Sequence, residues 1–229
     1  MNRIGILLSG CGVYDGAEIQ EAVLTMLAIE EAGGEYVCIS IDKEQFHTIN
    51  HLTGEEQPVK RNMMEEAARI ARGEVVSIND IKPSQLDGLV IPGGFGSAKN
   101  FTSWAFKGSE SDILPEVKLL LVNLVNIGCP IVALCVSPVV VAKAFEGASF
   151  STRMTIGSLI GSSPYDIDSF KKGLSTTGVS VTDKKVTEIE VDEVNRVITA
   201  PCYMMDTSLL GVRNNVKQAI DALFQMIKN

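Results

Sequence analysis

The stretch Ile131-Val-Ala-Leu-Cys-Val-Ser-Pro138 decides the fold. Four apolar residues run into Cys135, the run stops at Val-Ser-Pro, and residues 139–145 read as a helix. A short continuous apolar run ahead of a helix marks a parallel-sheet strand buried on both faces. Pro138 suits the first helical position, where its missing N–H costs nothing. Cys135 therefore falls at a strand-to-helix switch. There a thiol is either a small buried hydrophobe or a nucleophile fed by the positive end of the helix and its free N–H groups.

The same alternation extends in both directions. Residues 3–8 are apolar and end in a glycine-rich turn. From Ala17 the positions Ile19, Ala22, Val23, Met26 and Leu27 keep helical spacing until Gly33-Gly34, and residues 36–41 form a second strand. Residues 42–60, which hold His47 and His51, show no sustained period. Residues 63–72 read as a helix, 74–78 and 86–91 as strands, and 113–127 as a helix. Beyond residue 145 come a strand at 153–156, a helix at 167–176, two strands around a turn at 192–195, and a final amphipathic helix at 209–227. Strands alternating with helices predict one α/β domain over residues 1–229, with a largely parallel sheet and helices on both faces.

With 20 basic against 28 acidic residues, a net charge of −8, no surface is expected to track phosphates, so nucleic acid is excluded as a partner. No apolar run approaches the roughly 18 to 20 residues of a membrane span. Leu8-Ser9-Gly10-Cys11 mimics a lipoprotein cleavage box, but the apolar part before it is shorter than the roughly 7 to 15 residues of a signal core, so a first buried strand is the better reading. Five scattered cysteines and two histidines give neither a disulfide framework nor zinc-site spacing. A cytoplasmic protein without a metal or organic cofactor is expected.

Sites in such sheets form beyond the carboxyl ends of the strands. Three features fall there: the turn after the first strand with Glu18 beyond it, the loop Pro92-Gly-Gly-Phe-Gly-Ser-Ala-Lys-Asn100, and Cys135. The loop lacks the Lys-Ser/Thr end of a phosphate-binding P-loop. Its glycines suit close backbone approach, so that a loop N–H and the Val136 N–H can hold an oxyanion beside the thiol. Glu18 is either a helix-dipole partner or, if it points into the crevice, an acid or base for Cys135. Asp15, nearer the turn, is the expected helix cap.

"LVIPGGFGSAKN" followed by "LCVSP" resembles the PfpI-type branch of the class I glutamine amidotransferase-like superfamily, to which the parkinsonism-associated deglycase belongs. With "GILLSGCGVYDGAEIQEAVLTML", "INHLTGE", Ala68-Arg-Ile-Ala-Arg-Gly73 and "APCYM", the chain is similar over its whole length to the ElbB-like glyoxalase family. The resemblance implies a flavodoxin-like three-layer sandwich with Cys135 on a strained nucleophile turn and Glu18 as the carboxylate beside the thiol. It also implies that the Gly93-Gly94 loop, through Gly94, and Val136 supply oxyanion N–H groups. A homodimer and cofactor-free conversion of glyoxal, a small aldehyde, to glycolate are implied as well.

Two departures matter. Where relatives carry glycine two residues after the cysteine, this chain has Ser137, which predicts a tighter or differently shaped elbow. No histidine follows His51, so a Cys-His-acid triad in the amidotransferase or peptidase order is impossible; His47 or His51 reaches the thiol only if the irregular segment folds over it. An aldehyde asks for less, since thiolate addition and a proton shuttle between two carbons need no protonated leaving amine. The rival readings are a cysteine redox sensor and a non-catalytic accessory protein of isoprenoid metabolism.

Overall fold

The computed structural model describes residues 1–148 and 151–228. Seven strands form one sheet in the order β3-β2-β1-β4-β5-β9-β8: β1 (Arg3–Leu7), β2 (Glu35–Ser40), β3 (Val75–Ser77), β4 (Gly88–Ile91), β5 (Ile131–Leu134), β8 (Glu190–Asp192) and β9 (Val197–Ala200). All pairs are parallel except β8 with β9, the expected hairpin. β4, β5 and β9 are buried at every position, which is why they read as unbroken apolar runs.

The helices complete three layers. α1 (Ile19–Glu31) packs on α7 (Leu209–Lys228), which also covers β5 and β9; α4 (Pro115–Asn126) packs on α5 (Pro138–Phe145). The shorter α2 (Met63–Ile70) lies beside β2 and β3, and α3 (Trp104–Lys107) follows a single π-helical turn, Ser97–Phe101. β6 (Arg153–Thr155) and β7 (Ser180–Thr182), linked by α6 (Ile167–Thr176), make a separate two-stranded parallel sheet.

Strand order runs outward in both directions from the β1–β4 pair, so the crevice of an open α/β sheet lies above these strands. The turn after β1, the Pro92 loop after β4 and Cys135 after β5 all meet there.

One expectation is corrected here. Asp15 does not cap α1: its Oδ2 accepts the Ile49 N–H at 2.6 Å and ties down the irregular segment, while Glu18 occupies the cap position. The apolar spacing of α1 does not all face the core either. Ala22, Met26 and Ile29 are buried, whereas Ile19, Val23 and Leu27 form a stripe between 44% and 48% exposed.

Candidate active site

Cys135 leaves β5 with φ of +56°, a left-handed conformation that costs a non-glycine residue roughly 1 to 2 kcal/mol. The surroundings hold it there: its N–H donates to Ala200 O of β9 at 2.9 Å, and Ser137 N–H donates back to Leu134 O at 2.9 Å as α5 begins. The sharp turn lifts the thiol off the strand end and aims the first backbone amide of the turn at it. Val136 N–H and Gly94 N–H both donate to the Cys135 sulfur. Strained backbone of this kind collects at functional sites.

The carboxyl that hydrogen-bonds the thiol is Glu21, not the expected Glu18. Glu21 is fully buried on the first turn of α1. Its Oε2 accepts Gly93 N–H at 2.8 Å and its Oε1 accepts Tyr203 N–H at 3.3 Å. Glu18 accepts the Glu21 N–H at 2.6 Å as the helix cap, while its own N–H donates to Gly93 O at 2.8 Å; its side chain still lines the cavity over Cys135. The sequence carried one signal for Glu21: it lies on the face of α1 that buries Thr25 and Ala28, where a carboxylate is out of place unless it has work to do.

The two glycines have separate duties. Gly93 spends its N–H on Glu21, so it is not an oxyanion donor. A Cβ there would sit 2.3 Å from Cys135 Cβ and 2.5 Å from Glu21 Oε2, so only glycine lets thiol and carboxyl close on the loop. Gly94 has φ of +98°, and a Cβ on it would strike Gly16 O at 2.3 Å. Ser137 needs no glycine: its φ of −65° is ordinary helix. Its hydroxyl donates to Pro92 O at 2.6 Å and bonds Ser97 Oγ at 2.8 Å, pinning the elbow to the glycine loop.

Burial and the adjacent Glu21 charge push the Cys135 thiol well above its usual range, against the lowering effect of the two N–H donors. Burial, then repulsion from Glu18, raises Glu21 to about 8. Near neutral pH thiol and carboxyl thus form a dry couple in which both mostly keep their protons, rather than the free low-pKa thiolate that the turn alone suggests. Burial likewise raises Glu18.

The cavity above the sulfur is about 10 Å³, room for roughly one water. Phe95, Tyr165 and Tyr203 cover it; Tyr165 meets Phe95 edge-on with ring centroids 5.6 Å apart. The Tyr203 hydroxyl bonds Gln20, whereas the Tyr165 hydroxyl has no protein partner among the described residues. Burial first, and then the neighbouring thiol and Glu21, push the Tyr165 phenol up to about 12, so it stays a donor at neutral pH.

Neither histidine lines this cavity. His51 stacks on Tyr14, and its Nε2 accepts the Tyr14 N–H at 3.2 Å; His47 packs edge-on against Phe46 and Phe106. Cys202 is fully buried in a second left-handed turn, its N–H donating to Asn215 Oδ1 at 2.9 Å. That turn is what aims the next N–H, from Tyr203, at Glu21. Among the described residues no cluster of three or more His, Cys, Asp or Glu side chains is placed to hold a metal, and no helix is long and apolar enough to cross a membrane.

A thiol on a left-handed turn between β5 and α5, beside a glutamate from α1, in a parallel three-layer sheet defines the DJ-1/ThiJ/PfpI class of architecture. No family model matches the chain. Over 228 residues it is 32% identical to the mitochondrial glutamine amidotransferase-like class 1 domain-containing protein 3 of Homo sapiens, spanning 98% of this chain and 83% of that one. The same identity and 98% coverage hold for the mitochondrial ES1 protein homolog of Rattus norvegicus, 84% of which is spanned. The chain therefore belongs to the class I glutamine amidotransferase-like proteins, a group whose members are not confined to the cytoplasm. Among solved structures, the isoprenoid biosynthesis protein with amidotransferase-like domain from Ehrlichia chaffeensis superposes with a TM-score of 0.89 at 34% identity over 99% of each chain. Drosophila melanogaster DJ-1beta shares the fold at 16% identity and a TM-score of 0.54, over 99% of this chain and 96% of that one.

Proposed function

We propose that the protein is a cofactor-independent glyoxalase of the ElbB-like kind, acting on glyoxal or a similar small 2-oxoaldehyde in a reducing compartment. One observation carries the reading: the Cys135 sulfur is hydrogen-bonded at once by a buried carboxyl, Glu21, and by two backbone amides, Gly94 and Val136. An aldehyde enters as the partly exposed Tyr165 ring swings aside from the one-water space. In the fraction of molecules whose Glu21 is ionised, the Cys135 sulfur adds to the aldehyde carbon while its proton passes to Glu21, giving a hemithioacetal whose oxyanion faces the Gly94 and Val136 amides. Glu21 gives the thiol proton to the second oxygen, takes the proton of the first carbon and delivers it to the second through an enediol, with Tyr165 hydrogen-bonding the second oxygen and Glu18 on the wall beside it. The first carbon is oxidised to a thioester and the second reduced to an alcohol. Water releases the 2-hydroxy acid and the thiol.

A carboxyl poised near 8 suits both directions of that transfer, since a general acid or base works best near the operating pH. The buried, raised thiol weighs against a peroxide sensor, which needs an accessible thiolate. The absence of both histidines from the lining of the cavity weighs against amidotransferase and peptidase chemistry. The exposed Ile19, Val23 and Leu27 stripe on α1 supports a homodimer. The reading is tested by glyoxal turnover to glycolate in the wild type and in Cys135→Ala; full turnover by the variant sinks it. A non-catalytic accessory role in isoprenoid metabolism is the second reading; the Ehrlichia chaffeensis relative is described as an isoprenoid biosynthesis protein. Negligible turnover together with one stoichiometric partner captured from lysate would favour it.

A further inference from the structure

Phe95 lines both the small space over Cys135 and a larger one of about 380 Å³. Lys99 and His47 face the larger space, with Tyr14, Ile49 and Phe106 making the rest of the wall that matters here.

Lys99 is held differently from the chain's other partly buried lysines. Lys143 pairs with Glu146, and Lys171 pairs with Asp183 at 2.6 Å. The Lys99 ammonium donates to a neutral carbonyl, Tyr14 O, at 2.8 Å and lies 5.7 Å from the Phe95 ring centroid; among the described residues no carboxylate comes within ion-pair distance. Burial lowers its pKa against the pull of Asp15 and Glu56. A half-desolvated cation without a counterion is costly, and the cost is offset when an anion arrives. His47 adds a second polar side chain. Its Nδ1 is buried without a partner, while its Nε2 faces Glu56 at 3.8 Å. Between these two polar groups the walls are hydrocarbon, fitted to a short carbon chain.

We infer that the Lys99–His47 cavity is an anion subsite, so that the preferred substrate is a 2-oxoaldehyde whose tail carries a carboxylate or phosphate while its aldehyde reaches Cys135 past Phe95. This rests on the glyoxalase reading for its aldehyde half and on Lys99 and His47 for its anionic half.

The two halves separate experimentally. Binding of unreactive 4-oxopentanoate is measured by calorimetry for the wild type, Lys99→Met and Lys99→Arg. Loss of one charge-assisted hydrogen bond weakens binding about tenfold to a hundredfold in the methionine variant, and arginine recovers most of it. Equal affinity in wild type and Lys99→Met, or no binding to the wild type at millimolar ligand, overturns the inference. In turnover, the ratio of kcat/KM for 4,5-dioxopentanoate to that for neutral 2-oxopentanal falls by a similar factor in Lys99→Met; an unchanged ratio overturns it. Running hydroxypyruvaldehyde phosphate beside the carboxylate identifies which anion the subsite prefers. If the wild type turns over none of these aldehydes, the glyoxalase reading falls, and the calorimetric comparison alone decides the subsite.

Discussion

Glu18 accepts the backbone N–H of Glu21 at 2.6 Å, so one carboxylate fixes the start of the helix that presents the other to Cys135. The two residues sit one turn apart, share a surface of α1 and are both raised by burial, yet they do different work. Glu21→Gln keeps the shape and loses the proton shuttle, and is expected to lower kcat/KM for glyoxal by about 10² to 10⁴. Glu18→Gln keeps an acceptor for the cap and loses less than about tenfold. Glu18→Ala removes the cap and costs about 1 kcal/mol of stability. Steady-state turnover of the three variants, with melting curves beside it, checks the ranking; a Glu18→Gln enzyme as impaired as Glu21→Gln would reverse the assignment.

The same carboxyl makes stability depend on pH. Glu21 ordinarily titrates at 4.5 and is raised to about 8 in the fold, so between these values the native state holds a proton that the unfolded chain has released. Its contribution is fully present below about 4.5 and is lost as pH rises through about 8. The slope approaches at most about 1.4 kcal/mol per pH unit for one proton. Denaturant midpoints at pH 5 and pH 8.5 are expected to fall for the wild type and to flatten in Glu21→Gln. Parallel slopes in the two proteins would show that Glu21 does not carry the effect.

Most of the sheet was legible because its strands are short apolar runs punctuated by glycine and proline, and the hairpin of β8 and β9 and the bounds of α6 followed from the same signals. What was not legible has specific causes. Glu18 caps α1 and Glu21 lies in its first turn. Which of them meets Cys135 depends on the helix phase, and that is set by a contact 72 residues away, Gly93 N–H to Glu21. β7 was missed because Ser180-Val-Thr182 is three residues long and partly exposed throughout. Tyr165 had no motif at all. It reaches the cavity because Ser163 Oγ donates to Met204 O at 2.6 Å and lashes its loop over the end of β9.

Gly93→Ala and Gly94→Ala test the loop from opposite sides. At Gly93 the added carbon meets the Cys135 side chain and the Glu21 carboxylate, so the variant is expected to fold with thiol and carboxyl pushed apart and activity lost. At Gly94 it meets backbone at 2.3 and 2.4 Å in a left-handed conformation, which nothing flexible can relieve. That variant is expected to lose more than about 3 kcal/mol of stability, beyond the usual range for single substitutions. Thermal melts and glyoxal turnover distinguish them; a stable, active Gly94→Ala protein would contradict the described loop.

Tyr165→Phe removes one hydroxyl and little else, because that hydroxyl has no protein partner to abandon. Its expected signature is a kcat lowered by about 10- to 100-fold, with Cys135 alkylated by iodoacetamide at close to the wild-type rate, since the phenol serves the substrate oxygen and not the sulfur. If kcat is unchanged, the hydroxyl is a bystander and the oxyanion depends on the amides of Gly94 and Val136.

Ser137→Gly installs the small residue that related elbows carry, and the structure predicts harm rather than relief. The backbone at Ser137 is right-handed, so glycine relaxes nothing and adds roughly 0.5 to 1 kcal/mol of chain entropy to be lost on folding. It also deletes the buried hydroxyl that bonds Pro92 O and Ser97 Oγ, worth about 1 to 3 kcal/mol when its partners are left without it. At roughly 2 to 4 °C per kcal/mol for a chain of this size, Tm should fall by about 3 to 16 °C. Because the lost bond joins the elbow to the glycine loop, the Gly94 amide loses its register on the sulfur and turnover falls with it. Ser137→Ala, which deletes the hydroxyl without the entropy term, should recover only the smaller part of the Tm loss; full recovery by alanine would mean that the elbow is held by its backbone alone.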